Sequence, residues 1–148
     1  MRNSDPHGLT TVEKPTSEYI SPLETFDPRL TRTGARLGTG AYMSPEQFRD
    51  PRSVDIRADL YAFGVVLYEM ITSELPFKGR SLEALSHQHS LHKPPSIVPA
   101  VPARHAKLAK PIDEIVQRCL KKDPAERFSS IAELRQALKQ VVAHLPAR

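Results

Sequence analysis

The densest run of apolar residues lies between Leu60 and Ile71, and it does not keep to one side. Leu60, Phe63, Val65, Val66, Leu67, Met70 and Ile71 cover nearly the whole circumference of a helix. A helix that is apolar all round is a buried one. The segment from Ser53 to about Ile71 is therefore predicted to be the central post of the fold. Ser53 is its expected N-cap, and Asp55 and Asp59 fall in the first two turns, where carboxylates suit the helix dipole. Gly64 in the interior costs about 1 kcal/mol relative to alanine and points to close approach by another backbone. Thr72-Ser73-Glu74-Leu75-Pro76-Phe77 ends the element.

Weaker patterns flank this post. Pro45-Glu46-Gln47-Phe48 opens a short helical turn, since proline suits the first helical position, and Asp50-Pro51 breaks it. Ser81 to Ser90 reads as a short amphipathic helix with Leu82 and Leu85 inward. Pro94, Pro95, Pro99, Pro102 and Pro111 then enforce a long irregular connection. Pro111 is expected to start the next helix, with Asp113 and Glu114 in its first turn. Ile112, Ile115, Val116, Cys119 and Leu120 form the apolar stripe, and Asp123-Pro124 stops it. Ser130-x-x-Glu133 is a capping box ahead of a last amphipathic helix carrying Ile131, Leu134, Leu138, Val141 and Val142. Residues 1–28, with four prolines among many Ser, Thr and charged residues, show no sustained periodicity and are expected to be disordered or extended. The chain reads as mainly α.

Composition narrows the class. With 148 residues, 39% of them hydrophobic and 26% charged, the chain fits one soluble globular domain. No apolar run reaches the roughly 18 residues of a membrane span, and the N-terminus lacks the apolar segment of a secretory signal. The single cysteine, Cys119, cannot form an internal disulfide. A cytoplasmic protein without a membrane partner is expected. The net charge of +4 and pI of about 9.4 raise the question of nucleic acid. The cations are dispersed, however, and the densest patch, Lys121-Lys122, is followed at once by Asp123 and Glu126. Aromatics make up 6% of the chain with no tryptophan, so nothing alternates to stack bases, and no nucleic-acid partner is expected. His87-x-His89-x-x-His92 invites a metal reading. Its spacing puts the three rings on different faces of a helix, with no Cys or Asp close by, so no metal site is expected.

GTGAYMSPEQ, residues 38–47, poses the functional question. As a phosphate cradle it is poor: it lacks the third glycine of GxGxxG, the GK[ST] of a P-loop and a preceding strand. The same stretch resembles the end of the activation segment of Ser/Thr protein kinases, leading into the acid of the "APE" element. Three further pieces agree in order. VDIRADLYAFGVVLYEMITSELPF resembles kinase helix F, with Asp59 through Gly64 in its aspartate–aromatic–glycine pattern. LKKDPAERF resembles the late-lobe element that carries an arginine, and RLTRTGARLGT looks like the outer activation loop of bacterial kinases of this family. The resemblance covers residues 29–143 and leaves 144–148 as a tail. It implies a truncated kinase-like C-lobe (helices EF, F, G, H and I), with N-lobe and catalytic loop absent.

The resemblance also implies roles. Glu46 and Arg127, far apart in sequence, are expected to pair and tie the substrate platform to the late helices. Asp59 in the family holds the backbone of the catalytic loop. Gly38, Thr39 and Tyr42 are expected to bind the protein substrate, and Thr31 and Thr33 lie where activating phosphates usually land. Gly40 replaces a frequent proline, which is expected to loosen the loop, and Ser44 replaces the alanine of "APE". The parts that would touch ATP or magnesium are missing: no glycine-rich loop, no V-A-I-K lysine, no H-R-D-x-x-x-x-N segment and no D-F-G aspartate outside helix F. No catalytic residue and no cofactor is therefore assigned to this chain, since ATP and Mg belong to a complete kinase. The leading expectation is a partial Ser/Thr kinase domain, inactive by itself, whose partner is a protein substrate or a partner kinase chain. The alternative is a stand-alone protein-binding module of kinase descent. In either case the face of helix F that would meet the catalytic loop is expected to be uncovered.

Overall fold

The computed structural model describes residues 38–52 and 54–143. Five α-helices are found among them: α1 (Pro45–Arg49), α2 (Ile56–Thr72), α3 (Leu82–Leu91), α4 (Ala106–Cys119) and α5 (Ile131–Ala143). Short 3-10 turns at Val98–Ala100, Ala103–His105 and Pro124–Glu126 punctuate the connections. No strand occurs among the described residues, and no helix there is long and apolar enough to cross a membrane. The expectations for residues 1–28, Thr31, Thr33 and 144–148 lie outside the described residues.

The post begins later than Ser53, which is itself outside the described residues. Asp55 is the N-cap, its carboxylate accepting the Arg57 N–H at 2.8 Å. An aspartate caps as well as a serine, and the two candidates stand only two positions apart. At the far end Ser73 takes the left-handed conformation (φ 58°) and returns its N–H to the Glu69 carbonyl.

Two clusters of buried side chains share α2. Tyr61, Val65 and Tyr68 pack with Phe77, Ile97, Val116 and Leu120, while Leu60 packs with Ile115, Cys119, Phe128 and Leu134. The helix crosses α4 closely at Gly64, where an added Cβ would stand 2.6 Å from the Cys119 Cβ. Burial is nevertheless one-sided. Ile56, Phe63, Val66 and Met70 are exposed, Met70 by 76%. The expectation of a fully buried post is corrected: α4 covers one flank, and no described element lies over this other face.

The other elements depart from expectation in instructive ways. α4 starts at Ala106, not at Pro111, which lies inside the helix. A proline there removes one hydrogen bond, to the carbonyl one turn back. The preceding Ala106, Leu108 and Ala109 are good helix formers, and Ala109 is buried. In α3 Leu85 is buried but Leu82 is 40% exposed, and the inward position one turn on belongs to His89. Ser130 caps α5 by accepting the Glu133 N–H at 3.2 Å. The Glu133 carboxylate does not return to Ser130. It takes the N–H and hydroxyl of Ser129 (2.7 and 2.8 Å) and pairs with Arg118 of α4 at 2.6 Å. Ile131 and Val142, expected inward, are exposed.

Candidate functional site: a platform clamped to the helical core

The platform is the segment from Gly38 through α1. Residues 38–40 form a helical turn, and the Tyr42 and Met43 N–H groups fold back onto the Thr39 and Gly40 carbonyls. α1 then starts with Pro45 at its first position. The Gln47 side chain reaches back to accept from the Ser44 N–H at 2.8 Å. Ser44 is fully buried, so its hydroxyl needs the Gln47 oxygen at 3.1 Å.

Glu46 on α1 meets Arg127 in a two-pronged ion pair, Nη1 to Oε1 at 2.6 Å and Nη2 to Oε2 at 2.8 Å. The Arg127 side chain is wholly buried and its remaining donors are spent on backbone carbonyls: Nε on Lys121, Nη1 also on Arg57, Nη2 also on Lys122. One side chain thus joins three segments: α1, the start of α2 and the turn before α5. Burial, the largest single influence, would raise the Glu46 carboxyl; the Arg127 hydrogen bonds, the backbone N–H, the Arg127 charge and the Ser44 hydroxyl together outweigh it and hold the group below the ordinary range. The guanidinium also lies over the Tyr61 ring, 4.8 Å from its centroid.

A second tie is one that sequence reading missed. The Tyr42 hydroxyl donates to Glu69 Oε2 at 2.7 Å, fastening the loop before α1 to the last turn of α2. The Tyr42 hydroxyl is raised above the usual phenol range, chiefly by that bond to a carboxylate. Nothing in the local pattern of Glu69 marks it out, because its partner lies across the fold.

The remaining residues named from the sequence are placed as follows. Gly38 and Thr39 are exposed at the platform's leading edge. Gly40 is buried, and a Cβ there would lie 2.9 Å from Leu82 Cδ1 and 3.2 Å from Leu85 Cδ1. The expectation of a loosened loop is corrected, since the glycine lets the loop pack on α3. Asp59 is exposed, and its carboxylate makes no hydrogen bond to the described residues. His89 is fully buried, with Nδ1 2.9 Å from the Tyr61 hydroxyl, while His87 and His92 pack on one another outside. Among the described residues no group of three His, Cys, Asp or Glu side chains could hold a metal ion. The densest cationic patch also changes character: Lys122 does not project freely but lies over Phe77, its Nζ 4.2 Å from the ring centroid.

The comparison with known proteins settles the class. The pattern of the protein kinase domain family matches residues 24–144. The chain belongs to that family. Its relatives are bacterial Ser/Thr kinases. Serine/threonine-protein kinase PknB of Mycobacterium tuberculosis is 43% identical over 112 residues, which is 76% of this chain and 17% of that protein. Serine/threonine-protein kinase Pkn1 of Myxococcus xanthus is 41% identical over 116 residues, 76% of this chain and 16% of that protein. Serine/threonine-protein kinase pkn3 of the same organism is 38% identical over 114 residues, 77% of this chain and 20% of that protein. The chain therefore spans about a sixth to a fifth of the length of these relatives. In family terms α1 corresponds to helix EF, α2 to F, α3 to G, α4 to H and α5 to I.

Proposed function

We propose that these residues are the substrate platform, with its helical support, of a Ser/Thr protein kinase. Phosphoryl transfer from ATP to Ser or Thr hydroxyls of a protein then depends on groups outside the 148 residues. The observation that carries this reading is the buried, two-pronged Glu46–Arg127 pair, which holds the platform against the core. Gly38, Thr39 and Tyr42 form the edge that meets the protein substrate, and Thr31 and Thr33 are the candidate activating phosphosites. Phosphoryl transfer is almost entirely positioning and charge stabilisation. The platform supplies the positioning half, and the residues present do not fit the ATP–magnesium half. ATP and the reduced state of the lone Cys119, whose thiol burial pushes up to about 12, are both at home in the cytoplasm.

The test has two arms. The purified 148-residue chain is incubated with magnesium and labelled ATP, and no transfer to itself or to a Ser/Thr-rich protein mixture is expected. Magnesium-dependent transfer that is lost on substituting a residue within the chain overturns the reading. In the second arm the upstream portion of the mycobacterial relative is joined ahead of residue 29. This chimera is expected to phosphorylate protein, and Arg127→Ala to abolish that activity.

One observation favours a second reading, a protein-binding module of kinase descent. Ile56, Phe63, Val66 and Met70 lie at helical spacing on one exposed face of α2, an apolar strip that another polypeptide would cover.

A further inference from the structure

Two nitrogen atoms are buried without hydrogen-bond partners in the described structure, His89 Nε2 and Lys122 Nζ. Both belong to one cluster behind the platform. His89 is fully enclosed: the Phe48 ring of α1 stands 5.6 Å away, Tyr61 of α2 5.7 Å and Phe77 4.8 Å, centroid to centroid. The imidazole is thus where α1, α2, α3 and the loop through Phe77 meet. An enclosed imidazole with one hydrogen bond is tolerable when neutral. The charged form requires donors' partners at both nitrogens and relief from nearby cations.

The surroundings supply little of the first, a single nearby carbonyl, and none of the second. From α2 comes the Tyr61 hydroxyl, whose own proton is held tightly by burial. A phenol kept protonated has a hydrogen to give, and His89 Nδ1 at 2.9 Å is the acceptor, which leaves the ring proton on Nε2. From the platform comes the Ala41 carbonyl, the one group that favours the charged ring, while Phe48 brings no charge. From the turn before α5 comes the Lys122 ammonium, a like charge. Behind Tyr61 stands the Glu46–Arg127 pair, internally neutralised. On α3 itself His87 and His92 are engaged with one another.

We propose that His89 is a positioning residue whose neutral imidazole latches the platform helix α1 to α2 and α3, and that protonation releases this latch as pH falls. Protonation puts a hydrogen on Nδ1, where the Tyr61 hydroxyl already donates, and a positive charge among aromatic rings beside Lys122. The enclosure lowers the folded-state affinity of His89 for a proton to a value of about 4, against the ordinary 6.5 of an unfolded chain, with burial the leading cause and Lys122 the next. A depressed histidine contributes stability that is full above about pH 6.5 and is lost as pH falls towards about 4. In that window the unfolded state binds the proton that the folded state refuses, so the folding equilibrium weakens by up to about tenfold per pH unit. The latch rests on packing alone; its meaning for substrate phosphorylation rests on the kinase reading, so the test uses no phosphate transfer.

The experiment compares the full chain with His89→Gln, which does not titrate, by urea denaturation from pH 7.5 to 4.5. The wild type is expected to lose stability relative to the variant across pH 6.5 to 4.5, a combined shift of up to about a hundredfold in the folding equilibrium. Carboxylates titrate alike in both proteins and cancel. Parallel curves for the two proteins overturn the proposal. Should His89→Gln fail to fold, the imidazole nitrogen resonances of the wild type are followed against pH. A buried ring that stays neutral to below pH 5 with its proton on Nε2 supports the latch, and one that titrates near 6.5 overturns it. Hydrogen exchange at the amides of residues 46–49 adds the positional readout: these are expected to open ahead of α4 and α5 as pH falls, and uniform opening counts against a latch.

Discussion

Arg127 carries five N–H donors, and the fold uses five hydrogen bonds to fix it: two to Glu46 and one each to the carbonyls of Arg57, Lys121 and Lys122. A lysine keeps the charge but has neither the planar fork nor the reach to several carbonyls. Arg127→Lys is expected to destabilise the chain by about 2–4 kcal/mol, and Glu46→Gln by about 3–5, since the second leaves a buried guanidinium uncompensated. The double variant is expected to lose clearly less than the sum, measured by urea denaturation as a double-mutant cycle. Additive losses would mean that the pair does not act as a unit. At this scale the sequence showed which two residues were candidates, because the resemblance marks both. It did not show the three carbonyls, or the Tyr42–Glu69 bond, because those partners are chosen by how helices cross. His89 was visible only as one of three histidines whose spacing argued against a shared metal. Burial, which no local pattern reveals for a single histidine, is what separates it from His87 and His92.

The crossing of α2 and α4 is set by one missing side chain. An alanine at position 64 would bring its Cβ to 2.6 Å of the Cys119 Cβ, an atom anchored to backbone that no rotamer change can move. Helix propensity would gain about 1 kcal/mol and overpacking would cost about 1–3. Gly64→Ala is expected to lower stability by up to about 2 kcal/mol net, read as a drop in Tm. Cys119→Ala in the same background is expected to give no relief, because it keeps its Cβ, whereas Cys119→Gly restores part of the loss. A rise in Tm for Gly64→Ala alone would sink this account of the crossing. Elements as such were legible: each predicted helix in the described residues exists. Their starts were less so. Two capping residues near one another, Ser53 and Asp55, compete on nearly equal terms. Pro111 looks like a beginning until the packing of Ala109 draws the helix one turn further back.

Across the whole molecule the outstanding feature is the bare face of α2. Ile56, Phe63, Val66 and Met70 share it with the exposed Asp59. Apolar strips of this kind are covered in stable proteins or drive association. The chain by itself is expected to self-associate with rising concentration, followed by sedimentation velocity. Met70→Lys together with Val66→Lys is expected to hold it monomeric without lowering its Tm, because neither side chain is part of the buried clusters. If the variant instead melts earlier, those residues support the core and the face is not an open surface.

The class of element, the order of the helices and the identity of the acid and arginine of the clamp were all determined by the sequence. Periodicity, caps and motif order are local properties that survive in one dimension. Tertiary structure alone decided which side of α2 is covered, which histidine is enclosed and which carbonyls receive Arg127. Those outcomes depend on the distance and angle between segments far apart in the chain, and the energy of a buried proton or charge depends on everything packed around it.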